Sequence, residues 1–376
     1  MPEDSSLSKR RALTVFLERP GEEDLRVLLE KELQLLLENV GISVVGTVVQ
    51  RRAAPDPAFF IGQGKAEEAA LMARSLDAGV LVFDDALTPG QVLNLKKRTG
   101  LEIQDRPGVI VTIFQARAHT AEAKLQVELA RCRYEVPLLK GLGQQMSRTG
   151  GGIGTRGPGE TEFERHRRKL ERRIRDIDKK LQVVRQRREY QRKRRSRSGF
   201  PTVALVGYTN SGKSTLLRTL SGDGSILARD QLFSTLDTAV RRVTLPGGRE
   251  ILMADTVGFI RKLPPALVAA FRATLEEVAS ADLVLLVLEV ASPDVTETLQ
   301  TVQQMLFDIG AGTVPRILVL NKVDLVDSVF LERIQERLVG AGETVVSVSA
   351  LRGDGLDVLL RRIAARLNEK PWEESV

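Results

Sequence analysis

Over its first hundred positions the chain alternates between short apolar runs and longer stretches with apolar residues at helical spacing. TVFLE at 14–18 reads as a strand, and Leu25, Leu28, Leu29, Leu33, Leu36 and Leu37 then recur up to Gly41. That spacing places the leucines on one helix face, and glycine tolerates the left-handed backbone on which many helices end. ISVVGTVVQ, GVLVFDD (79–85) and LEIQDR predict three more strands. Helices are expected at 65–77 and in TPGQVLNLKKRTG, the latter opened by Thr88 and Pro89. This alternation predicts a small α/β subdomain over 12–117 with a largely parallel sheet, after a polar, flexible N-terminus at 1–11.

The period then changes. Ala118, Ala121, Leu125, Leu129, Cys132 and Val136 recur at steps of three and four, with the pattern expected to stop at Pro137. Leu170, Ile174, Ile177, Leu181 and Val184 repeat at spacings of 4, 3, 4 and 3, an a/d seam. Two seamed helices joined by one loop predict a long antiparallel hairpin over 118–197, its tip being the glycine-rich loop 141–159. The second helix, expected at 160–195, would be about 50 Å long at 1.5 Å per residue. From Phe200 onward TVALVG, REILMADTVG, ADLVLLVLEV, RILVLNKVD and TVVSVSA predict a second, doubly wound and mostly parallel sheet filling 198–368, before a short tail at 369–376.

Composition narrows the setting. The length of 376 residues calls for more than one domain. No apolar run reaches the roughly 18 residues of a membrane span, and MPEDSSLSKRRAL lacks the apolar centre of a signal peptide. One cysteine, Cys132, forms no internal disulfide and fits a reducing, cytoplasmic setting as a buried helix residue. The net charge of +7 is unevenly placed: Glu162 to Arg197 holds 17 basic and six acidic residues, a local +11, so the remainder sums to −4.

GYTNSGKS at 207–214 fits the phosphate-loop pattern and sits between an apolar strand and a helix, the context that pattern requires. Gly207, Tyr208, Thr209, Asn210, Ser211 and Gly212 form the loop, Lys213 reaches the β- and γ-phosphate oxygens, and Ser214 offers its hydroxyl to Mg²⁺, with Thr215 following. DTVG comes next: Asp255 can hold Mg²⁺ through water, Thr256 and Val257 continue the segment, and the Gly258 N–H can meet the γ-phosphate. In NKVD, Asn321 and Lys322 would brace the loops and cover the base, with Val323 beside them. Asp324 can accept from both guanine N1–H and the 2-amino group, a donor pair adenine lacks. Ser349, Ala350 and Leu351 add a backbone N–H, from Ala350, toward guanine O6. The motifs together predict a P-loop GTPase domain that hydrolyses GTP.

Between the first two motifs lies FSTLDT, in which Phe233, Ser234, Leu236 and Asp237 flank Thr235, the expected γ-phosphate sensor and second Mg²⁺ ligand; Thr238 is the alternative. Lys213, Thr235, Gly258 and Asn210 are thus the expected catalytic set. After DTVG stands Phe259, where Ras-like enzymes carry a water-orienting glutamine. Slow intrinsic turnover is expected. Asn210 is either a ligand for a monovalent cation, K⁺, that does part of an arginine finger's work, or a plain turn asparagine. Turnover in K⁺ against Na⁺ separates these, and equal rates exclude the first.

FIGQGK (60–65), DDALTPGQ (84–91), TAEAKLQVELA (120–130), SRTGGGIGTRGPGETEFE (147–164), GYTNSGKST, FSTLDT and DTVGFI resemble the HflX family of translation-factor-class P-loop GTPases, over residues 13 to about 365. The resemblance implies binding to the large ribosomal subunit, splitting of idle or stalled ribosomes, and hydrolysis stimulated by the ribosome, by a chain expected to act as a monomer. It also implies GTP or GDP at 207–215 and 255–258, with Mg²⁺ at Ser214 and Thr235. Many members carry a further small C-terminal domain, whereas NEKPWEESV follows the last expected helix here. LVLEVAS departs from the expected Asp-Ala-Ser, with Glu289 in its place and no consequence expected. Some members bind ATP through the N-terminal region, but GQGK (62–65) lacks phosphate-loop spacing and reads as a turn.

A charged helix is ordinarily a solvated face. An arginine-rich excess of +11, in a chain with few aromatics for stacking, instead predicts recognition of structured RNA through its backbone, with Arg165, Arg168 and Arg172 as contacts. Arg148 and Arg156 in the glycine-rich tip are expected to pair with rRNA phosphates. The rival readings are a ribosome-assembly GTPase, an RNA-binding module switched by GTP with negligible catalysis, and an ATP-driven RNA remodeller, which Asp324 disfavours.

Overall fold

The structure is a computed structural model that describes residues 10–21, 23–149, 158–197, 199–223, 233, 239–262, 277–292, 295–340 and 342–368. Side chains at 23, 140–149, 158–163, 185, 188, 189 and 191–197 lie outside that description. The described chain divides into two compact units, one drawing on residues 10–116 with 124–181, the other on 117–123 and residues from 182 onward.

The first unit begins with a four-stranded sheet in the order β2-β1-β3-β4, made of β1 (Arg10–Glu18), β2 (Ile42–Arg51), β3 (Val80–Phe83) and β4 (Glu102–Asp105). All three pairings are parallel, so helices α1 (Glu23–Asn39), α2 (Gln63–Ser75) and α3 (Pro89–Thr99) make the crossovers. Thr88 caps α3 in a reciprocal box with Gln91, and Gly100 closes it at φ 72°. GQGK proves to be the entry to α2: the Gly62 N–H donates to the Gln50 side chain at 2.7 Å.

One helix has no counterpart among the elements that the sequence predicts. RPGVIVTIFQAR folds as α4 (Arg106–Arg117), with Val109, Ile110, Val111, Ile113 and Phe114 all buried. A short apolar run of mostly β-branched residues, broken only by the exposed Thr112, cannot be told from a buried strand by its period. Arg106 at its start is fully buried and pairs with Asp84 and Glu32.

The hairpin helices are α5 (Ala121–Thr149) and α6 (Pro158–Arg197). At 40 residues α6 is about 60 Å long. Leu125 and Leu129 pack on Ile174, Ile177 and Leu181, the seam that the spacing predicts. Glu128 accepts from Arg173 Nε and Nη2, each at 2.7 Å, and Arg133 meets Asp178 at 3.3 Å. Two corrections apply here. α5 continues through Pro137 to Thr149, so 141–149 is helix rather than part of the glycine-rich loop; a proline inside a helix costs one backbone hydrogen bond but need not end it. Pro158 opens α6, at a position where its missing N–H costs nothing. Residues 150–157, with Arg156, lie outside the described residues, as does the side chain of Arg148. The Tyr134 hydroxyl donates to Asp105 at 2.7 Å and ties α5 to the end of β4. Burial holds the Asp105 carboxyl above its usual range, and burial with the Asp105 charge holds the phenol up as well.

The second unit is built on a six-stranded sheet in the order β10-β9-β8-β5-β7-β6. Its strands are β5 (Thr202–Gly207), β6 (Ala239–Thr244), β7 (Glu250–Asp255), β8 (Leu283–Glu289), β9 (Arg316–Asn321) and β10 (Val345–Ser347). Helices α7 (Lys213–Ser221), α8 (Val295–Asp308), α9 (Ser328–Gly340) and α10 (Leu356–Asn368) belong to it. Residues along the central strands alternate between two cores. Val203, Leu205, Leu283, Leu285, Ile317 and Val319 pack with α7 and α10. Ala204, Val206, Val284, Leu286, Leu288, Leu318 and Leu320 pack with α8 and α9 on the other face.

A parallel sheet buried on both faces reads as continuous apolar runs, which is why five of these strands are legible in sequence. The sixth, β6, is absent from the predicted set. It is an antiparallel edge strand on β7, and its AVRRVT carries two arginines and fully buries only Val243.

Candidate functional site

The motifs meet at one edge of the six-stranded sheet because they end its parallel strands. β5 closes on Gly207, β7 on Asp255 and β9 on Asn321, and the SAL turn follows β10. Ligands of open α/β sheets bind outside these carboxyl ends.

The phosphate loop is braced from within. Gly212 sits at φ 90°, and a Cβ there would lie 2.1 Å from Asn321 Nδ2. Asn321 donates to the Ser211 carbonyl at 2.8 Å and accepts the Ala350 N–H at 2.9 Å, so one amide joins the first, third and fourth motifs. Lys213 is buried and donates to the carbonyls of Gly207 and Tyr208 at 3.0 and 2.7 Å. Burial pushes its ammonium down to about 8, against the opposing pull of Asp255. Phosphate oxygens there would favour the charged form again.

Ser214 donates to Asp255 Oδ2 at 2.6 Å. A hydroxyl and a carboxylate side by side at a helix N-terminus form a hard-oxygen pair of the kind Mg²⁺ takes together with nucleotide phosphates. The donor set therefore fits the ion. Among the described residues no group of three or more His, Cys, Asp or Glu could hold a metal by itself.

At the base end, Ser349 Oγ donates to Asp324 Oδ1 at 2.6 Å. That hydrogen bond holds the Asp324 carboxyl below its usual range, so it stays ionised as an acceptor at neutral pH. Lys322 stands at φ 65° and pairs with Glu289 at 2.9 Å. Glu289, to which the sequence assigns no consequence, thus anchors the lysine expected to cover the base. Val323 begins a single 3₁₀ turn, and Leu351 is exposed.

Several residues of the expected site also hold the protein together. Thr256 donates its hydroxyl to the Leu205 carbonyl at 2.6 Å, stitching β7 to β5. Val257 and Phe233 are buried. The Thr209 N–H donates to the Phe259 carbonyl at 2.8 Å. Asn210 is exposed at φ 64°, a conformation asparagine accepts more readily than most residues. Ser234, Thr235, Leu236 and Asp237, and Thr238 with them, lie outside the described residues. Phe259 is 3% exposed, its ring packed in the apolar core with Ala204 and Val206.

On the hairpin, Arg165 and Arg172 line a cleft of about 740 Å³ between α5 and α6, together with Arg131, Lys169 and Arg173. The same wall carries Asp176, one of the acids counted in the basic helix, and, from α5, Glu128 and Glu135, which the sequence reading does not single out. Arg168 is exposed and meets Glu164 at 3.2 Å. No helix among the described residues is long and apolar enough to cross a membrane.

Comparison with known proteins gives the family of the chain. Family models match residues 29–115 (GTP-binding GTPase N-terminal), 117–195 (GTP-binding GTPase Middle Region) and 202–322 (50S ribosome-binding GTPase). The GTPase HflX of Caldanaerobacter subterraneus subsp. tengcongensis is 43% identical over 97% of this chain and 82% of its own length. That of Escherichia coli strain K12 is 41% identical over 90% and 79%. A crystal structure of SsGBP in complex with GDP aligns over 96% of this chain and 99% of its own, at 25% identity and a TM-score of 0.52. A GTPase by its P-loop domain and by these relatives, the chain belongs to the HflX family.

Proposed function

We propose that this chain binds the large ribosomal subunit in its GTP state and drives the subunits of idle or stalled ribosomes apart, in the cytoplasm, with hydrolysis stimulated by the ribosome allowing release. The observation that carries the proposal is a phosphate loop braced by Asn321 and joined to Asp255 through Ser214, in the same chain as a 40-residue basic helix held in a hairpin. The family model that matches residues 202–322, described as a 50S ribosome-binding GTPase, supports the same partner.

Residues 207–215 would cradle the phosphates, with Lys213 on the β and γ oxygens and the Gly258 N–H at the γ-phosphate. Asp324 would select guanine. Ser214, Thr235 and, through water, Asp255 would hold Mg²⁺, which neutralises charge on the phosphate oxygens when bound. K⁺ at Asn210 belongs to the same proposal and rests on the K⁺-against-Na⁺ comparison. Arg165, Arg168 and Arg172, with Arg148 and Arg156, would meet rRNA phosphates, and such contacts weaken as salt rises.

Pelleting with purified large subunits tests this. With a non-hydrolysable GTP analogue the protein should co-sediment, and with GDP much less. Arg165→Glu with Arg172→Glu should weaken co-sedimentation about tenfold or more and leave GTP affinity intact, since two phosphate contacts become repulsions. Undiminished pelleting of the double variant would remove these arginines from the interface.

A further inference from the structure

Tyr208 is the second residue of the phosphate loop, yet its hydroxyl is engaged with the protein. It accepts the Arg261 backbone N–H at 2.5 Å. The Arg261 guanidinium lies over the Tyr208 ring, 5.8 Å from its centroid, and meets Glu297 in the first turn of α8 at 3.5 Å. Two backbone hydrogen bonds run alongside: Phe259 N–H to the Gly207 carbonyl at 3.0 Å, and Thr209 N–H to the Phe259 carbonyl at 2.8 Å. Residues 259–261 are thereby zipped onto residues 207–209, and the buried Phe259 ring anchors them in the core.

Gly258 immediately precedes this zipped segment. A Cβ at Gly258 would lie 2.9 Å from Thr209 Cα, so its backbone already runs against the phosphate loop. Phe259 offers no side-chain group to orient water, so the placement of the backbone amide carries more of the task here than in enzymes with a glutamine. Hydrogen-bond donors aimed at developing charge lose their effect when displaced from the geometry the reaction needs.

We propose that Tyr208 and Arg261 form a clasp that positions the Gly258 amide for GTP hydrolysis. The proposal rests on the reading that Gly258 N–H meets the γ-phosphate. Tyr208 is a positioning residue in this scheme: its hydroxyl acts through the backbone of residues 258–261. The ring stacking and the Glu297 pair keep the Arg261 side chain from pulling that backbone away.

Single-turnover hydrolysis and nucleotide affinity should be measured for Tyr208→Phe, Arg261→Met, the double variant and Gly258→Ala. Tyr208→Phe keeps the ring and loses only the hydroxyl. The hydrolysis rate should fall about tenfold, while GTP and GDP affinities stay within about twofold. Arg261→Met should lower the rate in the same way, and the double variant should fall by less than the product of the two, as residues of one unit do. An unchanged rate in Tyr208→Phe, or GDP affinity falling in step with the rate, would overturn the clasp. If Tyr208→Phe does not fold, Arg261→Met carries the same two criteria. Gly258→Ala separates the underlying reading: a wild-type rate there refutes the role of Gly258 itself, whereas a low rate there with a normal Tyr208→Phe refutes the clasp alone.

Discussion

Asp324→Asn should turn a guanine-nucleotide protein into a xanthine-nucleotide protein. The carboxylate is ionised and oriented by Ser349 Oγ at 2.6 Å, so both its oxygens face the base as acceptors in the bound state we propose. Guanine answers with two donors, N1–H and the 2-amino group. Asparagine keeps one acceptor and gains an amino group that opposes the guanine 2-amino group. Hydrogen bonds to charged groups contribute about 1.5–3 kcal/mol each, so GTP affinity should fall on the order of a hundredfold or more. Xanthosine triphosphate carries a carbonyl at position 2, which the new amino group can meet, and should bind better to the variant than GTP does. Competition binding with both nucleotides checks this. A variant that keeps its preference for GTP would mean that Asp324 does not read the base.

Gly207→Ala should destabilise the second unit as a whole, not only its chemistry. A Cβ at Gly207 would lie 2.1 Å from the Val287 carbonyl oxygen, well inside contact distance. Gly207 and Val287 are register partners in β5 and β8, two central strands of the six-stranded sheet, so neither can move alone. A clash of backbone with backbone at such a site is expected to cost about 3 kcal/mol or more. For a unit of this size that lowers the melting temperature by roughly 6–12 °C. Gly222→Ala is the control. Gly222 stands at φ 67° with nothing within 4 Å, so alanine meets only the left-handed strain of about 1 kcal/mol. Equal melting temperatures for the two variants would show that the Gly207 approach is not what requires glycine there.

How far the sequence can be read depends on where the information lies. Buried parallel strands announce themselves as apolar runs, and the phosphate loop, DTVG, NKVD and SAL carry their chemistry in adjacent residues. The capping box at Thr88 and the seam from Leu125 to Leu181 are equally local in period. α4 hides because Val109 to Phe114 is a short apolar run of mostly β-branched residues broken only by Thr112, and β6 because an edge strand with Arg241 and Arg242 resembles a loop. Pro137 looks like a stop, yet the helix around it tolerates one missing hydrogen bond. In the site, the missed features join distant segments: Glu289 to Lys322, Tyr208 to Arg261, Thr256 to Leu205. Such contacts leave no period and no motif, and only the folded sheet brings them together.

The measurement closest to the central claim is light scattering of intact 70S ribosomes mixed with the protein and a non-hydrolysable GTP analogue. We predict a fall in scattering as the subunits part, with none when GDP replaces the analogue. Unchanged scattering, with the protein bound to large subunits all the same, would contradict ribosome splitting and favour a role in assembly of the subunit.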